Sequence, residues 1–193
     1  FNYQNRKRKT GRFIEVTDFY GCDWRLDPEK DLYFNQTTYP LSEYEILSES
    51  LHKLNRVDWQ EYVPVLRRHL DEQIKCTGDF CCIADRNTAG LTENSLRIRG
   101  YENWFMDTVL DPSGVEGLLD IILEDKIRYW DAVTDWAVEI GHESKIQVIS
   151  ECDDLGSQST TILDPVLLRQ LVIPRLKSLF THVKKRLPHI KIF

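Results

Sequence analysis

Three short apolar runs limit what this chain can fold into: Phe80-Cys81-Cys82-Ile83-Ala84, Ile146-Gln147-Val148-Ile149 within a strand predicted over Lys145–Cys152, and Ile190-Lys191-Ile192-Phe193. Each has the length of a strand, and short, nearly continuous apolar runs mark strands covered on both faces, as in parallel sheets. The stretches between them are helical in period, and parallel neighbours need crossovers of that kind. The order strand, helices, strand, helix, strand therefore predicts an α/β fold, either a barrel or a doubly wound sheet. In both, function collects where the strands end and the loops into the helices begin.

The helices have their own signals. Asp58 is placed to cap a helix whose apolar positions Trp59, Tyr62, Val63, Leu66, Leu70 and Ile74 recur at three- and four-residue steps, with Thr77-Gly78 ending it. Two helical stretches follow, Thr92–Arg99 and Tyr101–Val109, broken at Gly100. Asp111-Pro112 opens a long amphipathic helix to about Glu139, with Val115, Leu118, Leu119, Ile122, Ile127, Trp130 and Val133 as its buried stripe and Gly141 closing it. Asp164-Pro165 starts a last helix to Leu187, in which Pro174 predicts a kink or break. Upstream, residues 12–25 alternate around a turn and predict a small hairpin, while residues 26–56 read as a long excursion with one short helix near Ser42–Leu51.

Composition narrows the function classes. With 193 residues, 41% of them hydrophobic and 29% charged, the chain reads as a single globular domain, residues 1–193. Its net charge of −6 argues against a general polyanion binder, so no nucleic-acid partner is expected. The run Arg6-Lys7-Arg8-Lys9 is read as a solvated hairpin tip or frayed terminus. No apolar run approaches the roughly 20 residues of a membrane span, and no signal peptide opens the chain, so the expectation is a cytoplasmic protein without a membrane partner. Five cysteines without paired spacing predict reduced thiols rather than a disulfide framework or a zinc knuckle. The sequence starts at Phe1 and stops in a strand that has only begun, which reads as an internal piece of a longer protein.

The strand ends hold the candidate chemistry. Glu151, Cys152, Asp153 and Asp154 finish one strand, and Ala84-Asp85-Arg86-Asn87 finishes the preceding one. Successive strand residues face opposite sides, so Asp153 and Asp154 are not expected to share a pocket or a proton. One should face the site while the other accepts backbone N–H groups around Leu155–Ser157 or caps a turn. Cys152, on a strand read as buried, is expected to pack rather than bind metal, and Cys81 and Cys82 to be strand core. Trp24 and Trp104 are candidates to close over an aromatic or quaternary-ammonium ligand, with core packing the alternative for Trp104. Arg97 and Arg99 are read either as carboxylate binders or as ion-pair partners of Glu93 and Glu102.

Three blocks in order resemble the uroporphyrinogen decarboxylase superfamily, and more closely its cobalamin-dependent methyltransferase branch. The first is Asp18-Phe19-Tyr20-Gly21-Cys22-Asp23-Trp24-Arg25, similar to that branch's DE-x-GC-x-W hairpin. The second is Leu96-Arg97-Ile98-Arg99-Gly100-Tyr101-Glu102-Asn103-Trp104-Phe105-Met106-Asp107, similar to LRG-x-EN-x-x-MD. The third runs from Glu151 through Gln158 to Ile162-Leu163-Asp164-Pro165 and on to Ile173-Pro174-Arg175-Leu176-Lys177-Ser178-Leu179-Phe180.

The resemblance implies a (β/α)8 TIM barrel of which this chain is an incomplete middle portion, with residues 1–56 a hairpin and long loop at the barrel mouth and residues 57–193 its β/α units. It implies a methyltransferase that moves a methyl group from a small O-, N- or S-methylated substrate to the cobalt of a separate corrinoid protein. By position it makes Asp154 and Asp153 the catalytic candidates, and Asp85, Arg86, Asn87, Glu151, Gln158 and Trp24 the substrate-binding ones. A zinc site of the family would lie beyond Phe193, so no metal ligand is assigned within these residues. An open parallel sheet would expose apolar edges, so pairing with another chain, as in a homo-oligomer, is expected. Uroporphyrinogen decarboxylation and a non-catalytic small-molecule-binding barrel are the alternatives. The decarboxylase's arginine-rich RQAGR segment is not recognisable in this sequence.

Overall fold

A computed structural model describes residues 7–193 of the chain except Thr77 and Asp79. Arg6 of the basic run and Thr77 of the predicted helix end lie outside the described residues. In chain order the first half holds strands β1 (Arg8–Thr10), β2 (Phe13–Thr17), β3 (Asp23–Leu26) and β4 (Asn35–Gln36), then helices α1 (Leu47–Ser50) and α2 (Trp59–Lys75). Next come β5 (Cys82–Asp85), α3 (Leu91–Arg99), α4 (Tyr101–Leu110) and α5 (Pro112–Glu139). The chain continues through β6 (Ile146–Ser150), α6 (Pro165–Leu167), α7 (Ile173–Arg186) and β7 (Lys191–Ile192). Two compact units divide it: residues up to Val57 with Ser95–Leu118, and Asp58–Asn94 with Leu119–Phe193. The predicted break between residues 56 and 57 is close to the first of these boundaries, while the others fall inside α3 and α5.

In the first unit, β1 to β4 form an antiparallel sheet in sequence order. The predicted hairpin is its middle, Ile14 facing Leu26 and Val16 facing Trp24. Arg8 and Lys9 are not a hairpin tip but an edge strand, invisible to an apolar pattern because every residue of β1 is exposed. Cross-strand polar pairs stand in for burial there: Arg25 donates to Glu15 at 2.7 Å and Thr10 to the same carboxylate at 2.9 Å. The short helix predicted near Ser42–Leu51 shrinks to α1 and a 3-10 turn over Leu51–Lys53. Gly100, at φ 84°, turns the chain between α3 and α4 in a conformation that side chains oppose. Val16, Phe19, Cys22, Leu41, Leu47 and Trp104 are buried within this unit.

In the second unit, Asp58 caps α2 as predicted, accepting from the N–H groups of Gln60 and Glu61. Strands β5, β6 and β7 form a parallel sheet in that order, which gives the α/β class. Among the described residues this sheet is open, with three strands. The expectation that the first apolar run is covered on both faces fails: Phe80 is 83% exposed, Ile83 63% exposed, Cys81 exposed and Cys82 only half-buried. The reason is position, since β5 is an edge strand, whereas central β6 buries Ile146 and Ile149. Strand β6 is shorter than predicted because Glu143–Lys145 wind as a 3-10 turn and Glu151 and Cys152 lie past its end. Helix α5 runs over the predicted range, and of its predicted stripe only Ile127 is less than buried. The break expected at Pro174 appears as a π turn over Leu168–Val172 between α6 and α7. Proline lacks an N–H and its ring crowds the carbonyl four residues back, which a wider turn relieves. No helix among the described residues is long and apolar enough to cross a membrane.

Candidate functional site

The candidate site stands at the C-terminal ends of β5 and β6, in the second unit. Parallel register sets Asp85 opposite Ser150, so Arg86-Asn87 and Glu151–Asp154 leave the sheet at the same end. Tyr129 of α5 fixes the end of β5 by donating its hydroxyl to the Asp85 carbonyl at 2.7 Å. Burial, with the Asp85 and Glu151 charges adding to it, pushes the Tyr129 phenol well above its ordinary range, so it remains a donor.

Arg86 is the positive charge beside Asp85 at this end. Its Nη1 lies 3.4 Å from the Ser150 hydroxyl and 3.5 Å from an Asp85 carboxylate that is itself 74% exposed. Both contacts are long for a guanidinium, whose charge-assisted bonds are normally about 2.7–2.9 Å. Next to it, Asn87 is buried, and its Oδ1 has no hydrogen-bond partner among the described residues.

The stretch from Glu151 to Asp154 alternates inward and outward. Glu151 is buried and takes Lys126 Nζ at 2.8 and 3.0 Å on its two oxygens and Trp130 Nε1 at 2.9 Å. Cys152 is exposed, against the expectation that it packs in a buried strand, because it falls two residues past the ladder's last pair and on the outward side. Asp153 points back in and accepts the N–H groups of Thr92 at 2.8 Å and Glu93 at 3.0 Å. Asp154 and, further along, Gln158 are exposed.

Asp153 therefore caps a helix rather than the loop around Leu155–Ser157, where Ser157 and Thr160 close their own turn. Helix α3 is preceded by Gly90, whose carbonyl takes the first helical bond from the Asn94 N–H but which has no side chain to offer the orphan donors. The Asp153 carboxylate fills that place, and a Cβ on Gly90 would stand 2.2 Å from its carboxyl carbon.

Of the candidates read from sequence, Asp85, Arg86, Asn87, Glu151, Asp153 and Asp154 come together at this strand end, and Gln158 sits on the exposed turn beyond. Trp24 belongs to the first unit, where its Nε1 donates to Asp18 at 3.0 Å and the Arg97 guanidinium lies 4.8 Å over its ring. Trp104 is fully buried, the core alternative. Arg99 pairs with Asp107 at 2.6 Å. Sequence reading missed Lys126, Tyr129 and Trp130's polar role, although a signal existed: Lys126 stands four residues from both Ile122 and Trp130, on the apolar stripe itself. No group of three or more His, Cys, Asp or Glu residues able to hold a metal occurs among the described residues.

The fold is similar to that of a methyltransferase from Methanosarcina mazei, with a TM-score of 0.57 and 18% sequence identity over 85% of this chain and 44% of that one. The chain thus spans less than half the length of that structure, and at this identity the likeness shows the fold. No protein-family model matches the chain, and no curated protein sequence does.

Proposed function

We propose that the chain is part of a methyltransferase of the uroporphyrinogen decarboxylase superfamily, its three parallel strands belonging to a (β/α)8 barrel. The proposed reaction moves a methyl group from a small O-, N- or S-methylated substrate to the cobalt of a corrinoid protein. The observation that carries this reading is the likeness of fold, over 85% of the chain, to a methyltransferase. The three sequence blocks and the polar cluster at the ends of β5 and β6 support it.

When a methyl group leaves as a cation equivalent, the bonding pair stays on the heteroatom, which then needs a proton or a nearby positive charge. Asp154, exposed at the strand end, is assigned the proton or hydrogen bond to that atom. Arg86, loosely held, is assigned to orient an anionic or polar group of the substrate, with Asp85, Asn87 and Ser150 around it. Zinc is proposed only for residues beyond Phe193, and no step here is routed through it.

The test follows the cobalt(I) corrinoid spectrum with aryl methyl ethers, methylamines and betaines as donors. Bleaching by one donor, slowed on the order of 100-fold in Asp154→Asn, is the expected result. Carbon dioxide release from uroporphyrinogen without methylation would replace the proposal with a decarboxylase, and neither activity would leave a binding barrel.

A further inference from the structure

We infer that the buried Lys126–Glu151 pair is a positioning device that presents Asp154 at the end of β6. The inference rests on the role proposed for Asp154 and goes beyond it to groups that touch no substrate.

Lys126 and Glu151 have side chains 0% and 2% exposed, with both carboxylate oxygens on one ammonium and Trp130 Nε1 donating to Oε1, the farther of the two from that ammonium. A pair this dry is a poor way to gain stability, because desolvating two ions offsets most of their attraction, and apolar replacements of similar volume are often as stable. What such a pair does supply is a fixed geometry. Glu151 is also the last residue tied into the sheet, its N–H donating to the Phe193 carbonyl at 2.8 Å. The side chain and the backbone of the same residue are therefore held, by α5 and by the sheet respectively.

Two residues later Asp153 is held in turn, by the first turn of α3. With Glu151 and Asp153 both drawn inward, the alternation of an extended chain leaves Cys152 and Asp154 facing out, as their exposure shows. Asp153 further accepts the Asp154 N–H at 3.0 Å, which sets the direction in which the chain leaves. Released from Lys126, Glu151 would have to reach water, and the rotation that takes it there turns Asp153 off α3 and Asp154 away from the strand end.

The variant that isolates this role is the apolar pair Lys126→Met with Glu151→Leu, alongside Lys126→Gln with Glu151→Gln in case the first does not fold. Urea unfolding establishes which variant is folded, amide hydrogen exchange is read at Thr92 and Glu93, and methyl transfer is read as kcat and donor KM. The expected result is a folded variant whose Thr92 and Glu93 amides exchange at least ~10-fold faster, because their acceptor is no longer held. Its kcat should fall at least ~10-fold with donor KM changed less than about 3-fold, the split of a lost transition-state contact. Unchanged exchange at these amides, or unchanged kcat in a folded variant, overturns the inference and makes the pair ordinary packing. If the wild-type protein methylates no corrinoid, the proposed function falls by itself. The amide exchange then still decides whether the pair sets the course of residues 151–154.

Discussion

Among the described residues, each unit holds a buried ion pair, Arg99–Asp107 in the first and Lys126–Glu151 in the second, and the two are built differently. In the first, Arg99 is 3% exposed and spreads its fork over five acceptors: both oxygens of Asp107 and the carbonyls of Leu41, Tyr44 and Glu45. In the second, Lys126 gives its charge to the single carboxylate of Glu151. A guanidinium with donors in a fixed plane can staple a loop that has no regular hydrogen bonding of its own, and the segment from Leu41 to Glu45 is such a loop. An ammonium is a point charge, suited to holding one group in one place. The Arg99 site thus organises structure, whereas the Lys126 site organises one residue.

The comparison can be broken first at Arg99. Arg99→Leu strands the Asp107 carboxylate and three carbonyls, so urea unfolding should show a loss of about 4–5 kcal/mol. Arg99→Lys should recover less than half of it, since an ammonium cannot span the same acceptors; full recovery would erase the distinction between the two pairs.

Lys126→Met alone should cost less, about 3 kcal/mol, leaving Glu151 buried with only the Trp130 donor. Adding Glu151→Leu should return most of that loss, and a double variant as unstable as the single one would mean that this pair, too, is mainly structural.

The smallest effect is expected at Asp111, in the first unit. Burial there raises the carboxyl, but the backbone N–H of Ser48, with the Ser113 hydroxyl and the Gly114 N–H, outweighs it and leaves the group below its ordinary value. A carboxyl depressed by folding contributes stability above its unfolded value that is lost as pH falls through the folded one. Asp111→Asn should therefore lower stability slightly at pH 7 and make it less dependent on acid below about pH 4, as read by unfolding midpoints across pH. An unchanged acid limb would show that Ser48 and Asp111 do not hold each other in solution.

These sites also show what could be read ahead of the structure. The helices were legible because their signals are local: Asp58 as a cap, Gly100 as a break, and the spaced apolar residues of α5. The meeting of Asp85–Asn87 with Glu151–Asp154 was legible because parallel register follows from chain order. The partners were not, because an interior carboxylate finds its donor in three dimensions. Nothing local to Asp153 says that it caps a helix starting some sixty positions earlier; only Gly90, a helix start without a capping side chain, hints at a missing partner. Strand β1 was hidden for the opposite reason, since an exposed edge needs no apolar pattern.

The π turn at Leu168–Val172 has a consequence of phase. Successive residues of an α-helix advance by about 100°, so a segment holding one residue more than the regular spiral needs offsets everything before it from everything after it. Deleting one residue there would restore the regular spiral but turn Pro165–Leu167 by about that angle relative to Leu179 and Val183, which α7 buries. Because Pro174 has no N–H to complete such a spiral, the chain would gain a straighter rod and lose agreement between its two ends. Length in this segment is therefore constrained more tightly than composition, and single-residue deletions should be tolerated less well than substitutions at the same positions.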